Sequence, residues 1–246
     1  MSSLAARLRA RSGTGCLRGL WLSFLGPFGL EVVAASAAAG RIDWLGVDLQ
    51  HGDIEPQDVA PLLRATDIPV LVRLSSHDPA HLARMIDTGV AGVIVPGVES
   101  AAQASQLVAA ASLPPLGRRS TGLCRAALAP TGERPLLLAM VETAAGLAAA
   151  DEIAEVDGVD GIFVGPYDLS LALSEPSVST GLMLSAIADV AAAARRWNRA
   201  FGVFSGNREL TAALPPVDLL GVATDAAVLQ VGLDALFAES PVLVGR

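Results

Sequence analysis

Two carboxylates follow apolar stretches of strand length at matching positions. Glu142 comes directly after residues 136–141, and Asp168 comes after residues 161–165 and a Gly-Pro turn. If the two stretches are neighbouring parallel strands, their carboxyl ends lie at one edge of the sheet and both side chains enter one small volume. Oxygen ligands without a nearby thiol or imidazole suit Mg²⁺ or Mn²⁺ holding several waters. The pattern predicts a metal site, and two solvated or helix-capping acids are the alternative.

A histidine and an aspartate follow an earlier apolar stretch. His51 lies three residues after Asp48, and Gly52 leaves the backbone free to turn. An aspartate that hydrogen-bonds one imidazole nitrogen fixes the tautomer and makes the other nitrogen more basic, as a general base near neutral pH requires. The spacing therefore predicts a His51–Asp48 base pair. A solvated loop histidine is the alternative, and it is the interpretation we give to His77 and His81.

Arg73 interrupts an otherwise apolar stretch, residues 69–74. A buried guanidinium needs an anion, and its two parallel N–H groups match a carboxylate or an enolate-type oxygen. Arg73 is therefore predicted to bind substrate, to pair with one of the acids at the strand ends, or both. Glu99 and Asp225 also follow strand-like stretches, but helix capping is the better interpretation for them.

Apolar stretches alternate with Ala- and Leu-rich helical segments along the whole chain. Eight of each predict a (β/α)8 TIM barrel, an α/β fold, forming one domain over residues 1–246 with residues 1–18 as a lead-in. The predicted strands are 19–25, 43–49, 69–74, 92–98, 136–141, 161–165, 200–204 and 219–224. The predicted helices are 28–39, 55–65, 79–88, 100–112, 143–156, 182–198, 208–214 and 226–238. Residues 113–135 lack a period and are expected to cover or flank the active face.

Composition excludes several classes of function. Hydrophobic residues make up 52% of the 246 residues, and the net charge is −8 with scattered basic residues, so neither a nucleic-acid surface nor a membrane patch is indicated. The apolar residues 19–25 imitate a signal peptide but are better explained as a first core strand. All 17 basic residues are arginine, which excludes lysine Schiff-base chemistry. Cys16 and Cys124 fit no metal or disulfide pattern, and a cytoplasmic setting is expected.

The motifs Val141-Glu-Thr and Gly165-Pro-Tyr-Asp-Leu-Ser, at their mutual spacing, are specific. With them the chain resembles the class II pyruvate aldolases of the 4-hydroxy-2-oxoheptanedioate aldolase family, to which the citrate lyase β subunit is a more distant relative. The resemblance covers residues 19–238. Weaker support comes from Gly19-Leu-Trp-Leu, Asp43-Trp-Leu, Val72-Arg, Val95-Pro-Gly-Val-Glu-Ser and Pro114-Pro-Leu-Gly-Arg-Arg.

The resemblance implies that Glu142 and Asp168 hold a divalent ion, Mg²⁺ or Mn²⁺ with Co²⁺ as a third candidate. That ion would chelate the carboxylate and keto oxygen of a 2-oxo acid, helped by backbone amides near Tyr167 and Asp168. The implied reaction is cleavage of a 4-hydroxy-2-oxo acid to pyruvate and an aldehyde through a metal-bound pyruvate enolate, whose charge a Lewis acid spreads.

The resemblance also assigns roles to the remaining residues. His51 with Asp48 would be the base assembly, and Arg73 would stabilise the enolate or the aldehyde oxygen. Asp87 matches a position at which the family brings an acid to a neighbouring subunit's site, so a homo-oligomer, a hexamer by resemblance, is expected.

Two positions depart from the family pattern and keep other functions open. Gln50 stands where the family has Glu, and Met140 stands where it has Gln; Met140 is expected to face the substrate. The segment between Arg119 and the fifth strand also looks shorter than usual. One alternative is an acyl-CoA lyase of the citrate or malyl-CoA type, against which His51 speaks, because those relatives generally lack it. The other is a barrel that binds a 2-oxo acid without turning it over.

Overall fold

Eight parallel strands close into a barrel in the computed structural model, which describes residues 3–10, 15–128 and 133–239. Each strand pairs with its neighbours in chain order, and β8 pairs with β1. The strands are β1 Leu17–Leu22, β2 Trp44–Asp48, β3 Val70–Arg73, β4 Gly92–Val95, β5 Leu136–Val141, β6 Gly161–Val164, β7 Ala200–Phe204 and β8 Leu219–Thr224. The predicted (β/α)8 fold is confirmed, and residues 19–22 of the segment that imitates a signal peptide belong to the barrel strand β1.

Helices α2 to α11 follow the strands in chain order and surround the barrel, and a further helix, α1, precedes β1. They are α1 Leu4–Ala10, α2 Pro27–Ala35, α3 Val59–Leu62, α4 Pro79–Asp87, α5 Ala101–Ala111, α6 Ala144–Ala148, α7 Ala150–Glu155, α8 Pro166–Ala172, α9 Gly181–Arg196, α10 Arg208–Ala213 and α11 Asp225–Glu239. Within the described ranges, none of them combines the length and the apolarity needed to cross a bilayer.

Alternation along the strands divides the apolar side chains between two layers. In β5, Leu137, Ala139 and Val141 join the cluster packed under the helices, whereas Leu138 and Met140 join the cluster inside the barrel. Successive residues of a strand point to opposite faces, so each strand contributes to both layers. The same alternation places the next residue of the inward row, Glu142, at the top of the barrel interior.

Two tryptophans fill the barrel interior because glycines face them. Gly19 pairs with Trp44 and Trp21 pairs with Gly46 across β1 and β2. A Cβ atom at Gly19 would lie 2.2 Å from the Trp44 ring, and one at Gly46 would lie 2.7 Å from the Trp21 ring. At both positions a tryptophan thus faces a glycine, which has no side chain. The two rings can therefore pack at 81° with centroids 6.1 Å apart.

Helix α1 closes the amino-terminal end of the barrel. Leu4, Ala5 and Leu8 are buried in the same cluster as the barrel interior. Arg9 donates to Asp160 at 3.0 Å, which ties the helix to the start of β6. The lead-in expected for residues 1–18 therefore contains a core helix over residues 4–10 and the start of β1; residues 1, 2 and 11–14 lie outside the described part.

Truncation of a buried α1 side chain should destabilise the fold. Leu8 is 4% exposed, so Leu8→Ala is expected to lower the free energy of unfolding by about 2–5 kcal/mol through lost apolar contact and an unfilled space. Leu123→Ala, at a side chain 92% exposed, is the matched control and should change it by less than about 0.5 kcal/mol. Urea denaturation measures both, and equal values would show that α1 does not belong to the core.

Several predicted elements differ from the structure. The predicted helix 55–65 is a 3₁₀ turn, Pro56–Asp58, followed by the single-turn helix α3, and the predicted helix 143–156 is divided into α6 and α7 at Ala149. Helix α8 was predicted only as a turn.

The placement predicted for residues 113–135 was wrong. This segment follows the outer helix α5 and leads into β5, so it runs along the amino-terminal end of the barrel, opposite the strand ends that carry the acids. Its residues 129–132 lie outside the described part.

Candidate active site

A cavity of about 290 Å³ opens at the carboxyl ends of the strands. Its lining combines acids, one arginine, one histidine and a group of aromatic side chains: Trp21, Ser23, Asp48, His51, Arg73, Met140, Gly165, Pro166, Tyr167, Asp168, Phe204 and Thr224. A larger cavity, about 760 Å³, lies at the other end of the barrel beside residues 113–127 and the start of β3. The smaller one is the candidate active site, because six of the predicted site residues line it: Asp48, His51, Arg73, Met140, Tyr167 and Asp168.

Asp48 and Arg73 form a buried ion pair across β2 and β3, where they are register partners. Arg73 Nε donates to Asp48 Oδ1 at 3.0 Å, and Nη2 donates to Oδ2. Burial would raise the pKa of Asp48, but the hydrogen bonds and charge of Arg73, with the N–H groups of Gln50 and His51, outweigh it and hold that pKa below its ordinary value. The pairing thus favours the charged form of Asp48.

The contact between Asp48 and His51 differs from the predicted base pair. The backbone N–H of His51 donates to Asp48 Oδ1 at 3.2 Å. Within the described part of the chain, the imidazole ring of His51 makes no hydrogen bond with Asp48. Both oxygens of Asp48 bind Arg73 instead. The predicted tautomer-fixing role of Asp48 is therefore not what this arrangement provides: Asp48 turns the loop and orients Arg73, while the exposed His51 ring stands at the cavity rim.

Trp21, which was not among the predicted site residues, supports this ion pair from inside the barrel. Its Nε1–H donates to Asp48 Oδ2 at 3.3 Å, and the Arg73 Cζ atom lies 5.4 Å from its ring centroid. Such a distance is within the range of a cation–π contact. Trp21 lies near the end of β1, two residues after the inward-facing Gly19. That position in the strand is the signal by which the sequence could have placed it beside the site.

Glu142 carries an unsatisfied oxygen at the edge of the cavity. The residue is 7% exposed, and its Oε2 atom is buried without a hydrogen-bond partner. Burial first and the negative charge of Asp168 second raise the pKa of Glu142, which Arg73 and the Gly97 N–H offset in part. A buried carboxylate oxygen without a donor, beside a second carboxylate, is a place that fits a cation.

Asp168 lies in the first turn of α8, which Pro166 begins. Proline at the first helical position is favourable, so the Gly165-Pro166 pair starts a helix here. Clusters of three or more His, Cys, Asp or Glu side chains able to hold a metal do not occur within residues 3–10, 15–128 and 133–239. The protein therefore offers two carboxylates, and a Mg²⁺-type ion would take its other ligands from water or substrate.

Met140 and Gly165 shape the floor beside these carboxylates. Met140 is 3% exposed and lines the cavity, as predicted for a residue two positions before Glu142. A Cβ atom at Gly165 would lie 2.7 Å from Met140 Cε and 2.8 Å from Glu142 Oε2. Only glycine leaves this space open at the head of α8. Tyr167, 47% exposed, forms part of the cavity wall.

Other predicted residues have other surroundings. Asp87, at the end of α4, accepts from Arg119 at 2.7 Å and lies away from the cavity of its own chain. Asp225, the first residue of α11, accepts from three backbone N–H groups of residues 23–25, whereas Thr224 makes the capping hydrogen bond with the Ala227 N–H. Ser100, not Glu99, caps α5.

The two remaining histidines are less solvated than predicted. His77 Nε2 lies 2.5 Å from the Pro96 carbonyl oxygen, and His81 Nε2 is buried without a partner. Both belong to the stretch from β3 to α4, and neither lines the cavity.

Comparison with known proteins decides the family. The profile of the HpcH/HpaI aldolase/citrate lyase family matches residues 22–214. The chain belongs to this family. A hydroxypyruvate/pyruvate aldolase of Rhizorhabdus wittichii is 34% identical over 240 residues, with 91% of this chain and 93% of the relative covered. A 2-keto-3-deoxy-L-rhamnonate aldolase of Salmonella gallinarum is 37% identical over 172 residues, with 64% and 62% covered.

A solved structure agrees. A HpcH/HpaI aldolase/citrate lyase family protein from Burkholderia cenocepacia superimposes with a TM-score of 0.84 at 28% identity, covering 96% of this chain and 98% of that one. The resemblance drawn from the sequence is confirmed, and this HpcH/HpaI family member is an enzyme of the aldolase type.

Proposed function

We propose that this HpcH/HpaI aldolase cleaves a 4-hydroxy-2-oxo acid to pyruvate and an aldehyde with the help of a divalent cation. The observation that carries the proposal is the buried, unpartnered Oε2 of Glu142 beside Asp168. Names of relatives such as hydroxypyruvate/pyruvate aldolase support pyruvate as one product.

Glu142 and Asp168 are the residues that would hold the cation, and Mg²⁺ or Mn²⁺ fits their oxygen ligands. When bound, a divalent cation supplies Lewis-acid stabilisation of the charge that develops at the 2-oxo group as the bond between C3 and C4 breaks. Without a lysine in the chain, the Schiff-base route to the same product is closed.

Arg73 is placed to bind an oxygen of the substrate. Its Nε and Nη2 atoms hold Asp48, whereas Nη1 makes no hydrogen bond with any of the described residues. Because Arg73 lines the cavity, Nη1 can donate to the enolate or the aldehyde oxygen. Asp48 and Trp21 hold the guanidinium in place, which avoids a reorganisation cost during the reaction.

His51 is the group proposed to move the proton of the 4-hydroxyl. It lies at the cavity rim, where solvent can exchange protons with the ring. Backbone amides near Tyr167 and Asp168, at the start of α8, would help to hold the substrate carboxylate.

A product assay tests this function. Pyruvate release should be measured on a panel of 4-hydroxy-2-oxo acids with Mg²⁺, Mn²⁺ and Co²⁺, in parallel with a panel of acyl-CoA esters of 3-hydroxy acids. We expect pyruvate from the first panel and nothing from the second. Turnover confined to the acyl-CoA panel would replace the proposal by the lyase alternative, and binding without turnover would leave a 2-oxo-acid-binding barrel.

Met140 should limit activity on polar substrates. A thioether cannot donate a hydrogen bond, whereas a glutamine amide at this position could donate to the unpartnered Glu142 Oε2 or to substrate. Met140→Gln is expected to raise kcat/KM for 4-hydroxy-2-oxo dicarboxylates by about 10- to 100-fold and to change metal affinity by only a few-fold.

Steady-state kinetics and metal titration test this expectation, with Met140→Leu as the apolar control that should behave like the unmodified protein. A loss of activity on every substrate with Met140→Gln would show that the methionine belongs to a differently built site.

A homo-oligomer is part of the proposal, with α11 as its contact surface. The apolar residues Val228, Leu229, Val231, Leu233 and Phe237 are all exposed along this helix. Exposed apolar patches are typical of interaction surfaces, and twofold symmetric dimers are the commonest homo-oligomers. Asp87, which lies away from its own cavity, would then serve a neighbour's site.

Leu233→Glu is expected to weaken self-association because it places a charge in this apolar surface. Light scattering at micromolar concentration should show an oligomer for the unmodified protein and for Gln230→Glu, the control on the same helix. A fully active monomer would refute the shared site.

The reducing cytoplasm remains the proposed setting. Cys16 and Cys124 are both free thiols, which is compatible with it.

A further inference from the structure

The wall of the cavity between β6 and β2 is aromatic. Going round the barrel, the two acids follow β5 and β6, Phe204 ends β7, Trp21 lies near the end of β1, and the Asp48–Arg73 pair ends β2 and β3. Phe204 lies between two rings: its centroid is 5.6 Å from that of Trp21 and 6.4 Å from that of Tyr167. The three rings form one continuous apolar surface, which we call the aromatic wall.

Two glycines fix the position of the Phe204 ring. A Cβ atom at Gly221, on β8, would lie 2.7 Å from Phe204 Cδ2. A Cβ atom at Gly206, whose φ is +64°, would lie 2.9 Å from Phe204 Cε1 and 2.9 Å from the Tyr167 hydroxyl. A side chain at either position would push the ring from its place. The chain thus leaves space on two sides for one aromatic residue that faces the cavity.

The charges in the cavity are already matched. Among the described residues that line the cavity, Arg73 is the one arginine, and it is paired with Asp48 through two hydrogen bonds. Glu142 and Asp168 would balance a divalent cation, and the carboxylate of the 2-oxo acid adds one negative charge. A second carboxylate on the substrate finds no uncommitted guanidinium or ammonium group among the described lining residues, where His51 is assigned to proton transfer, and an unpaired charge keeps its desolvation cost.

We infer that Phe204 determines the specificity for the aldehyde half, and that this half is uncharged and apolar. The inference rests on the proposed pyruvate aldolase function. The aromatic wall excludes water from the aldehyde chain, so each added methylene strengthens binding. The same surface offers no hydrogen-bond or ionic partner to a terminal carboxylate. Ser23 and Thr224, which also line the cavity, supply hydroxyl groups at its edge.

The test is carried out in the direction of aldol addition. Pyruvate and Mg²⁺ are held constant, and kcat/KM is measured for ethanal, propanal and butanal and for the four-carbon aldehyde that bears a terminal carboxylate. We expect kcat/KM to rise about fourfold for each methylene, the value of its transfer out of water. The carboxylate-bearing aldehyde should be at least about tenfold poorer than butanal.

In Phe204→Ser, kcat/KM should rise by less than about twofold for each methylene, because the added carbon then contacts water and a hydroxyl group. Phe204→Leu should give an intermediate slope and guards against a failure of the serine variant to fold. Phe28→Ser, at a side chain 76% exposed on α2, is the matched control and should keep the full slope.

Exchange of the pyruvate methyl protons for deuterium needs no aldehyde. It therefore tests the proposed activation of pyruvate separately from the inferred specificity for the aldehyde half. Exchange by the unmodified protein, together with the expected slopes, supports the inference. Normal exchange with a preference for the carboxylate-bearing aldehyde, or with an unchanged slope in Phe204→Ser, overturns the inference alone. Absence of exchange in the unmodified protein overturns the proposed function and the inference with it.

Discussion

Replacement of Glu142 by glutamine is expected to abolish metal binding and to lower kcat/KM for pyruvate release by about a thousandfold or more. Lewis-acid stabilisation is worth several kcal/mol, and each 1.4 kcal/mol is about tenfold in rate. The substitution keeps the shape of the side chain but removes one of the two charges proposed to bind the cation. Isothermal titration with Mn²⁺ and steady-state kinetics measure the two effects.

The same variant should be more stable than the unmodified protein when metal is absent. Burial and the charge of Asp168 raise the pKa of Glu142, so the ionised carboxylate is a destabilising group in the metal-free fold. Glu142→Gln is expected to raise the metal-free Tm by a few degrees, at about 2–4 °C per kcal/mol for a chain of this size. It should also lose the increase in Tm that Mg²⁺ gives the unmodified protein.

Glu99→Gln is the matched control, because Glu99 is an exposed acid at the same end of the barrel. It should keep the activity, the metal-free Tm and the Mg²⁺-dependent shift. A Glu142→Gln protein that still shows a full Mg²⁺-dependent shift would remove the proposed metal site.

Loss of Arg73 is expected to destabilise the protein by about 3–5 kcal/mol, because it leaves the buried Asp48 charge without a cation. We expect this loss for Arg73→Met. The double variant with Asp48→Leu should be at least about 2 kcal/mol more stable than the sum of the two single losses predicts. Both single variants should also lose activity, since the guanidinium or its orientation is lost.

Urea denaturation of the four proteins near pH 7 measures this coupling. The pKa of Asp48 lies below its ordinary value in the fold, so the stabilisation is fully present above the unfolded value of about 3.9 and is lost as the pH falls through the folded pKa. Additive effects of the two substitutions at pH 7 would show that the pair contributes no specific stabilisation.

The sequence was enough to predict the barrel because its strands are short apolar runs at regular spacing. Six predicted strands agree with the structure to within one residue at each end, and the bounds of β5, β7 and β8 are those predicted. Helix α8 was not predicted because Gly165-Pro166 is typical of both a turn and a helix start, and a run of seven residues cannot distinguish them. Helix α1 was not predicted because its apolar positions face the barrel end, a tertiary contact that no local pattern carries.

The candidate site was predictable to the level of residues but not of contacts. Strand-end positions were sufficient to select Asp48, Arg73, Glu142 and Asp168. The pairing of Asp48 with Arg73 depends on the register between β2 and β3, which a single sequence leaves open. Phe204 was not selected because an aromatic residue in a strand is typical of a core, and its place in the cavity lining depends on tertiary packing that no local pattern carries.

The claim that Glu142 and Asp168 hold a divalent cation that activates pyruvate is tested most directly by exchange of the pyruvate methyl protons in D₂O, followed by NMR. We predict exchange well above the solvent rate with the metal-replete protein, the solvent rate after treatment with a chelator, and recovery on addition of Mg²⁺ or Mn²⁺. Glu142→Gln should stay at the solvent rate at every metal concentration. Undiminished exchange by the chelated protein, or by Glu142→Gln, would contradict the claim.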